Sequence, residues 1–314
     1  MRKKAILIFF LAISTALNAQ KIVFMPQWTA QSQFAGYYLA QEKGFYKAEG
    51  LDVEIRHIKP GSTMSVTDYL MRGDVDIAGI QLLSAIISRN DGDQLLNVMQ
   101  LSQVSGLCLA AHFKVRGNSD LNGKKIGRWL IAYEEFAEVL ELFENVRAEW
   151  ITAYNPVNLF LYDVVDATLC TSYNELIDIR LSGHYLPDDR VLRFSDEGLD
   201  CPEDGLYVTE EGYQKKKALV DKFVEASKKG WEYARLHPEE AVDITMKYTA
   251  DAGFFTNTVK QRMILDECLR LQVNPITGKA DFAPVSKEVF KSLNDVLYKT
   301  GTIQRIVDYK ELIR

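Results

Sequence analysis

The stretch Lys21–Ile58, KIVFMPQWTAQSQFAGYYLAQEKGFYKAEGLDVEIRHI, decides the fold. Its first six residues, KIVFMP, are mostly apolar and predict a strand. The run from Phe34 to Lys43 has helical character and stops at Gly44, a residue type that commonly ends helices. Leu51–Ile58 then alternates apolar and polar side chains, as a second strand does. A strand, a helix and a strand in this order predict the start of a parallel sheet.

The same order of elements continues as far as Ala111. Pro60-Gly61-Ser62 turns the chain, and Ser62 or Thr63 is placed to cap the helix that follows. A β-α-β-α-β order predicts a parallel sheet that helices cover on both faces. The predicted elements after the turn are a helix over 64–72, a strand over 75–80, a helix over 82–89, and strands over 95–104 and 107–111.

A second lobe is predicted behind a polar, glycine-rich crossing at 113–123 (FKVRGNSDLNG). A further crossing is predicted at 200–205, after which the chain opens with one strand and is otherwise helical. We therefore expect lobe 1 to comprise 20–112 and 206–314, lobe 2 to comprise 113–205, and the crossings to act as a hinge. The predicted elements are strands over 125–130, 147–152, 165–171 and 190–194, and helices over 133–144, 156–162, 174–181, 217–236, 238–248, 259–271 and 286–300.

Residues 1–19 have the pattern of a secretory signal peptide. Arg2, Lys3 and Lys4 precede an apolar run, and Ala19 supplies a small residue before the expected cut. The alternative is a membrane anchor, but the run is shorter than the roughly 20 apolar residues that a spanning helix needs. The first mature residue would be Gln20 and not a lipid-accepting Cys. We therefore expect a protein that diffuses freely in a Gram-negative periplasm.

The composition is that of an ordinary globular protein with a formal charge of −6. A mildly acidic chain lacks the basic surface that nucleic-acid binding requires. The widely spaced Cys108, Cys170, Cys201 and Cys268 include no CxxC pair, which argues against zinc. The sequence leaves two alternatives open: two of these cysteines form one structural disulfide, or all four are buried free thiols. We expect a monomer that binds no metal.

The sequence lacks the local motifs of common catalytic sites. His57, His112, His184 and His237 stand outside any HExxH, HxH or HxxC pattern, and no GxSxG elbow or phosphate-binding loop occurs. The acidic pair Glu134-Glu135 begins a predicted helix, where carboxylates complement the helix dipole. We therefore expect a non-enzymatic protein without a cofactor.

Aromatic and polar residues follow the predicted strands, at the edge where open α/β sheets bind ligands. Aromatic side chains there would stack a flat ring, and polar groups would read its edge. Phe34 and Tyr37 fit a core position equally well, and Tyr133 lies in the same set of loops. The candidate ligand-binding residues are Trp28, Phe34, Tyr37, Gly61, Ser62, Gln81, Trp129, Tyr173, Asn174 and Glu175.

Two features of these loops point to opposite ligand charges. Glu175 begins a predicted helix, where a carboxylate either complements the dipole or accepts hydrogen bonds from a ligand amino group. In the second role it would disfavour anions. The backbone N–H groups of Gly61, Ser62 and Thr63 would instead suit an anion such as a sulfonate.

Five segments, taken in order, resemble the solute-binding proteins for thiamine pyrimidine precursors and their sulfonate- and nitrate-binding relatives. The resemblance implies an α/β periplasmic binding protein fold of type II. Such a fold has two lobes, each with a parallel-rich sheet flanked by helices, and a hinge of two crossings. It also implies an ABC transporter permease and its ATPase as partners. The segments are 34–55, 73–80 (GDVDIAGI), 121–129 (LNGKKIGRW), 165–175 (VDATLCTSYNE) and 203–216 (EDGLYVTEEGYQKK).

The resemblance implies a thiamine pyrimidine precursor, such as a formylamino or hydroxymethyl pyrimidine, as ligand. Pyrimidine-binding members hold the ring with an aromatic residue of the first loop and an Asn-aromatic-Glu element of the second lobe. Trp28 and Glu175 match those places, whereas Asn174 is adjacent to the glutamate rather than two residues before it. The alternatives are a sulfonate-binding protein, a sensory module for a receptor kinase, and a pyrimidine synthase. The fungal synthase uses its own histidine, bound pyridoxal phosphate and a His/Cys-rich motif, and this sequence has no such motif.

Overall fold

The computed structural model describes residues 20–59, 62, 64–130 and 134–314. The predicted signal peptide, 1–19, lies outside these residues, as do Gly61, Thr63 and Tyr133. In the described part of the chain, no helix has the length and apolar character needed to cross a membrane.

Strands and helices occur close to where the sequence predicts them. The strands are β1 (Gln20–Met25), β2 (Leu51–Ile55), β3 (Ile77–Ile80), β4 (Leu95–Gln100), β5 (Leu107–Ala111), β6 (Lys125–Trp129), β7 (Glu149–Ala153), β8 (Ala167–Thr171), β9 (Val191–Arg193) and β10 (Gly205–Thr209). The helices are α1 (Ala35–Glu42), α2 (Phe45–Ala48), α3 (Val66–Met71), α4 (Leu82–Asn90), α5 (Glu134–Leu142), α6 (Pro156–Leu161), α7 (Glu175–Leu181), α8 (Glu210–Leu236), α9 (Pro238–Asp251), α10 (Thr258–Leu271), α11 (Lys287–Lys299) and α12 (Tyr309–Leu312).

The strands form two sheets, one in each lobe. The first has the order β2-β1-β3-β10-β4 and the second the order β7-β6-β8-β5-β9. In each sheet four strands run in the same direction, and a returning strand, β10 or β5, is inserted antiparallel between the third and the last of them. The predicted two-lobed α/β architecture is confirmed, with mixed sheets in place of a purely parallel pattern.

The position of β5 corrects the predicted division of the chain. Leu107–Ala111 is expected in lobe 1, but it pairs with β8 and β9 in the second sheet. Its sequence, LCLAA, is apolar throughout, so it suits the interior of either sheet equally well. The chain therefore leaves the first sheet in the segment 101–106, the first crossing, and the predicted crossing at 113–123 lies within lobe 2. It returns in the segment 194–204, the second crossing, which includes all but the last residue of the predicted crossing at 200–205.

Residues 35–40 of helix α1 are all buried in lobe 1. The helix packs against α8, where Gly36 and Gly230 allow the two backbones to touch. A Cβ on Gly230 would overlap the carbonyl oxygen of Gly36, and a Cβ on Gly36 would overlap the ring of Trp231. Only glycine permits this approach at both positions. The loop that precedes α1 is therefore attached to a rigid support.

The two crossings are joined by hydrogen bonds to buried carboxyl groups. Glu203 accepts from Ser105 Oγ at 2.9 Å and from the Gly106 backbone N–H at 3.0 Å. Asp200 accepts from the Ser105 backbone N–H at 2.7 Å. Burial raises the pKa of Glu203 to about 8 and that of Asp200 to about 6. The crossings thus meet at one point rather than running separately between the lobes.

The four cysteines are buried with free thiols. Cys108 and Cys170 face each other across β5 and β8, with their sulfur atoms 3.4 Å apart. Of the two arrangements that the sequence leaves open, the structure shows the one with free thiols.

Candidate ligand-binding site between the lobes

A cleft of about 550 Å³ lies between the lobes, where strands of both sheets end. Lobe 1 lines it with the loop after β1, the segment before α3, and one side of α4. Lobe 2 contributes Trp129 at the end of β6, Thr171 at the end of β8, and Tyr173, Asn174 and Glu175 after it. A cleft at the carboxyl ends of parallel strands is the usual ligand position in open α/β sheets.

Most of the predicted binding residues meet in this cleft. Gly61 lies outside the described residues. Phe34 and Tyr37 do not line the cleft, because each is 1% exposed and packs in the lobe 1 core. Tyr37 contacts Phe24 of β1 at a ring separation of 4.7 Å, so the structure places both aromatics in the core. The predicted residues that line the cleft are Trp28, Ser62, Gln81, Trp129, Tyr173, Asn174 and Glu175.

Trp28 is the most exposed aromatic residue of the cleft, and its loop is anchored by His57. The Trp28 side chain is 42% exposed. Its backbone carbonyl lies 2.8 Å from His57 Nδ1, and His57 Nε2 lies 2.9 Å from the Tyr38 hydroxyl. A carbonyl only accepts, so Nδ1 carries the proton and Nε2 accepts from Tyr38. Burial lowers the pKa of His57, which favours this neutral form, although the bond to Trp28 acts in the opposite direction.

Tyr173 connects the cleft to the hinge. It is 5% exposed and packs with Ile264 and Cys268 of α10, a helix that belongs to lobe 1. A Cβ on Gly106 would lie 2.8 Å from its ring, so the first crossing passes directly beneath it. Movement of the lobes would therefore change the surroundings of an aromatic residue that faces the ligand space.

Glu175 faces the cleft and also stabilises the start of α7. Its Oε2 accepts from the backbone N–H and the hydroxyl of Thr171, at 2.9 and 2.7 Å. Its Oε1 accepts from Asn174 Nδ2 at 3.0 Å. A carboxylate oxygen has two acceptor positions, so Oε1 retains one. Glu175 therefore has the predicted position at the helix start, and its second predicted role, hydrogen bonding to a ligand in the cleft, stays a prediction.

The predicted site does not include three buried polar residues, linked by hydrogen bonds, that the structure places beside the cleft. Gln31 Nε2 donates to Gln33 Oε1 at 2.6 Å, and Gln33 Nε2 lies 3.0 Å from both carboxyl oxygens of Asp204. Gln31 and Gln33 both line the cleft. The polar run QWTAQSQ between two apolar elements could have indicated the two glutamines as site residues. Asp204 could not be connected with them, because it is 171 residues from Gln33 in the sequence.

The charged groups of the cleft are acidic. Among the lining residues that the structure describes, Asp68, Asp91, Asp93 and Glu175 carry carboxyl groups, and none is Lys, Arg or His. Asp68 accepts from the backbone N–H and the hydroxyl of Ser65, at 2.7 and 2.8 Å. Ser65 is therefore the cap of α3, which corrects the predicted cap at Ser62 or Thr63. The Asp68 carboxylate thus lies at the start of α3. Of the three residues whose N–H groups the sequence offers to an anion, Gly61 and Thr63 lie outside the described residues.

The sequence matches the model of a known protein family over the region that contains most of this site. A model described as NMT1/THI5 like matches residues 31–241, well over half of the chain. The chain belongs to the NMT1/THI5-like family. The match begins at Gln31, in the loop that carries the cleft residues of lobe 1.

Solved structures show the fold of this NMT1/THI5-like protein. The periplasmic aliphatic sulphonate binding protein SsuA from Escherichia coli superposes with a TM-score of 0.65. The match covers 94% of this chain and 92% of SsuA, at 15% sequence identity. A likeness at this level of identity concerns the fold alone. The chain has the periplasmic binding protein fold.

Relatives of this NMT1/THI5-like chain include both binding proteins and enzymes. The riboflavin-binding protein RibY of Chloroflexus aurantiacus is 23% identical over 93% of this chain and 84% of its own length. The 4-amino-5-hydroxymethyl-2-methylpyrimidine phosphate synthase THI11 of Saccharomyces cerevisiae is 26% identical over 72% of this chain and 70% of its own length. Family membership alone therefore does not separate binding from synthesis, and the residues of the cleft become decisive.

Proposed function

We propose that this protein is the substrate-binding component of an ABC transporter and captures a small heterocycle between its lobes. The observation that carries the proposal is a cleft lined by Trp28 from lobe 1 and by Trp129 and Tyr173 from lobe 2. Aromatic groups from both lobes suit a flat ring that is held on two sides. The protein acts as a monomer in the periplasm, after removal of residues 1–19, and delivers its ligand to a permease that an ATPase drives.

The mechanism is closure of the lobes around the ligand. The crossings at 101–106 and 194–204 absorb the change of backbone angles. A ligand that contacts both lobes stabilises the closed form in proportion to its higher affinity for that form. In this mechanism Trp28 stacks on the ring, and Glu175 accepts a hydrogen bond from an amino group at its edge. The closed form then docks on the permease.

The charge of the cleft favours a neutral or cationic ligand over a sulfonate. A cleft with four carboxyl groups and no described cationic side chain repels an anion. This supports a thiamine-type pyrimidine, for example a hydroxymethyl or formylamino pyrimidine. A flavin is the second candidate ring, since RibY is named as a riboflavin-binding protein and a 550 Å³ cleft falls within the range for drug-sized ligands.

The lining of the cleft also supports binding over synthesis. A synthase of the fungal type uses a histidine as its source of ring atoms, together with pyridoxal phosphate, which enzymes hold as a Schiff base on a lysine. No histidine or lysine side chain is among the described residues that line the cleft. The nearby His57 does not line the cleft, and its ring hydrogen-bonds with the backbone carbonyl of Trp28 and the hydroxyl of Tyr38.

Titration calorimetry of the purified mature protein tests the proposal. The probes are 4-amino-5-hydroxymethyl-2-methylpyrimidine, riboflavin and an alkyl sulfonate, with small-angle scattering recorded for each. We expect one of the two heterocycles to bind and to make the protein more compact, and the sulfonate not to bind. Tight binding of the sulfonate alone, or formation of product from a candidate substrate and cofactor, would contradict the proposal.

A further inference from the structure

We propose that Gln31 is the residue that recognises the hydrogen-bonding edge of the ligand ring, and that Gln33 and Asp204 fix the direction of its amide. The inference rests on the proposed function and names the chemistry that the cleft selects. The ligand class is a heterocycle with a donor and an acceptor side by side, such as an aminopyrimidine or a cyclic amide.

The orientation of Gln31 follows from the groups behind it. Both carboxyl oxygens of Asp204 lie 3.0 Å from one terminal atom of Gln33, and only an NH₂ group can donate to a carboxylate. The other terminal atom of Gln33 is therefore oxygen, and it accepts from Gln31 at 2.6 Å. The Gln31 atom at that contact must be nitrogen. The direction of both amides is thus determined by Asp204.

The remaining polar atoms of Gln31 are directed to the ligand space. Gln31 is 6% exposed and lines the cleft, whereas Gln33 behind it is 1% exposed. Among the described residues, no hydrogen bond reaches Gln31 Oε1, and Nε2 keeps a second N–H after donating to Gln33. In the described chain Gln31 Oε1 has no hydrogen-bond partner and is not one of the fully buried unpaired atoms, so it is open to the cleft. Gln31 therefore offers one acceptor and one donor to a ligand there.

Another glutamine of the same loop serves as a comparison. Gln27 also lines the cleft, and its Oε1 is buried without a partner in the described chain. No side-chain hydrogen bond in the described residues fixes the amide of Gln27, so it can turn to suit either a donor or an acceptor. A side chain free to turn discriminates little between ring edges, whereas one that is held discriminates strongly.

The test compares two probes that differ only at the ring edge. They are 4-amino-5-hydroxymethyl-2-methylpyrimidine and the analogue with hydrogen in place of the 4-amino group. Calorimetry is performed above the pKa of Asp204, which burial raises to about 7, so that the carboxylate is ionised. We expect the wild type to prefer the amino compound by about tenfold or more, the range expected when a site is left with an unpaired polar group.

Gln31→Leu, which keeps the approximate volume and removes the amide, should bind both probes with similar and weaker affinity. Gln27→Leu should weaken the binding of both probes by the same factor and so keep the preference. Gln304→Leu, at an exposed position that does not line the cleft, is the matched control and should bind both probes as the wild type does. Gln31→Met provides a second variant if Gln31→Leu does not fold, as judged by thermal unfolding. A preference retained by the Gln31 variants, or lost only in Gln27→Leu, would overturn the assignment. Failure of the wild type to bind either pyrimidine would instead remove the pyrimidine from the proposed function, and this inference with it.

Discussion

The imidazole of His57 donates a 2.8 Å hydrogen bond from Nδ1 to the backbone carbonyl of Trp28. Its Nε2 accepts from the hydroxyl of Tyr38, whose ring stacks on Tyr248 at 4.0 Å. The loop that presents Trp28 to the ligand is therefore held by a side chain that follows β2, and that side chain is held in turn by α1. The position of the exposed tryptophan depends on a partly buried histidine.

Removal of the imidazole should weaken ligand binding without abolishing folding. His57→Phe leaves the Trp28 carbonyl without its hydrogen-bond partner. The free-energy cost of leaving such a group unpaired is about 1–3 kcal/mol. We expect an affinity about tenfold or more below that of the wild type, measured by calorimetry with the probe that the wild type binds. His237→Phe, at an exposed position outside the cleft, should bind as the wild type does. Equal affinities of the wild type and His57→Phe would show that the loop does not need this anchor.

The same histidine should make stability depend on pH in a defined direction. Burial lowers the pKa of His57 below 6.5, so the unfolded chain takes up a proton at a higher pH than the folded protein. The stabilisation from neutral His57 is complete above the pKa that His57 has in the unfolded chain. It is lost as the pH falls through the pKa of His57 in the folded protein. The difference in unfolding free energy between wild type and His57→Phe, measured by urea titration, should therefore shrink as the pH falls. A difference that stays constant would contradict the neutral assignment.

Removal of the Trp28 side chain should have the largest effect on affinity. We expect Trp28→Ala to weaken binding by more than about tenfold, since a truncated aromatic contact at the centre of a site typically corresponds to 2 kcal/mol or more. Tyr154→Ala is the control, because Tyr154 is 81% exposed and does not line the cleft. Calorimetry of both variants, with far-UV circular dichroism to confirm folding, provides the measurement. An unchanged affinity would place the ligand away from Trp28.

The buried carboxyl groups of the hinge should give the opposite pH dependence. Burial raises the pKa of Glu203 from 4.5 to about 8, so between these values the folded protein binds a proton that the unfolded chain has released. The contribution of Glu203 is greatest below 4.5 and is lost as the pH rises through 8. In Glu203→Gln, the unfolding free energy should decline less steeply over this range than in the wild type. Identical slopes in urea titrations of the two proteins would show that Glu203 is ionised in the fold.

Much of the fold follows from local sequence patterns. Val75–Ile80 is apolar enough to predict the buried strand β3, and the spacing of Phe136, Val139 and Leu140 predicts α5 within a few residues. Most of the predicted cleft residues also lie in the cleft, because the carboxyl ends of parallel strands form one edge. The positions of these strands and helices along the chain, and of the pocket at the sheet edge, are thus consequences of periodicity and connection rules.

The features that escape prediction depend on contacts between distant segments. The strand Leu107–Ala111 is apolar at every position, so its own pattern does not reveal which sheet it joins. Phe34 and Tyr37 are core residues because α8 packs over α1, and the local sequence around them does not predict that contact. Gln31 matters because Gln33 reaches Asp204 from across the hinge, and no local rule connects residues so far apart in the chain.

Glu203 joins both connecting segments at one point, through Ser105 and Gly106. Because these bonds hold the two crossings together, we expect the lobe closure of the proposed mechanism to be a rotation about that junction rather than a sliding or shearing motion. In that mechanism the empty protein would sample few arrangements besides open and closed. Binding would then lose little entropy in ordering the two lobes relative to each other. Even a ligand with few atoms could therefore bind tightly.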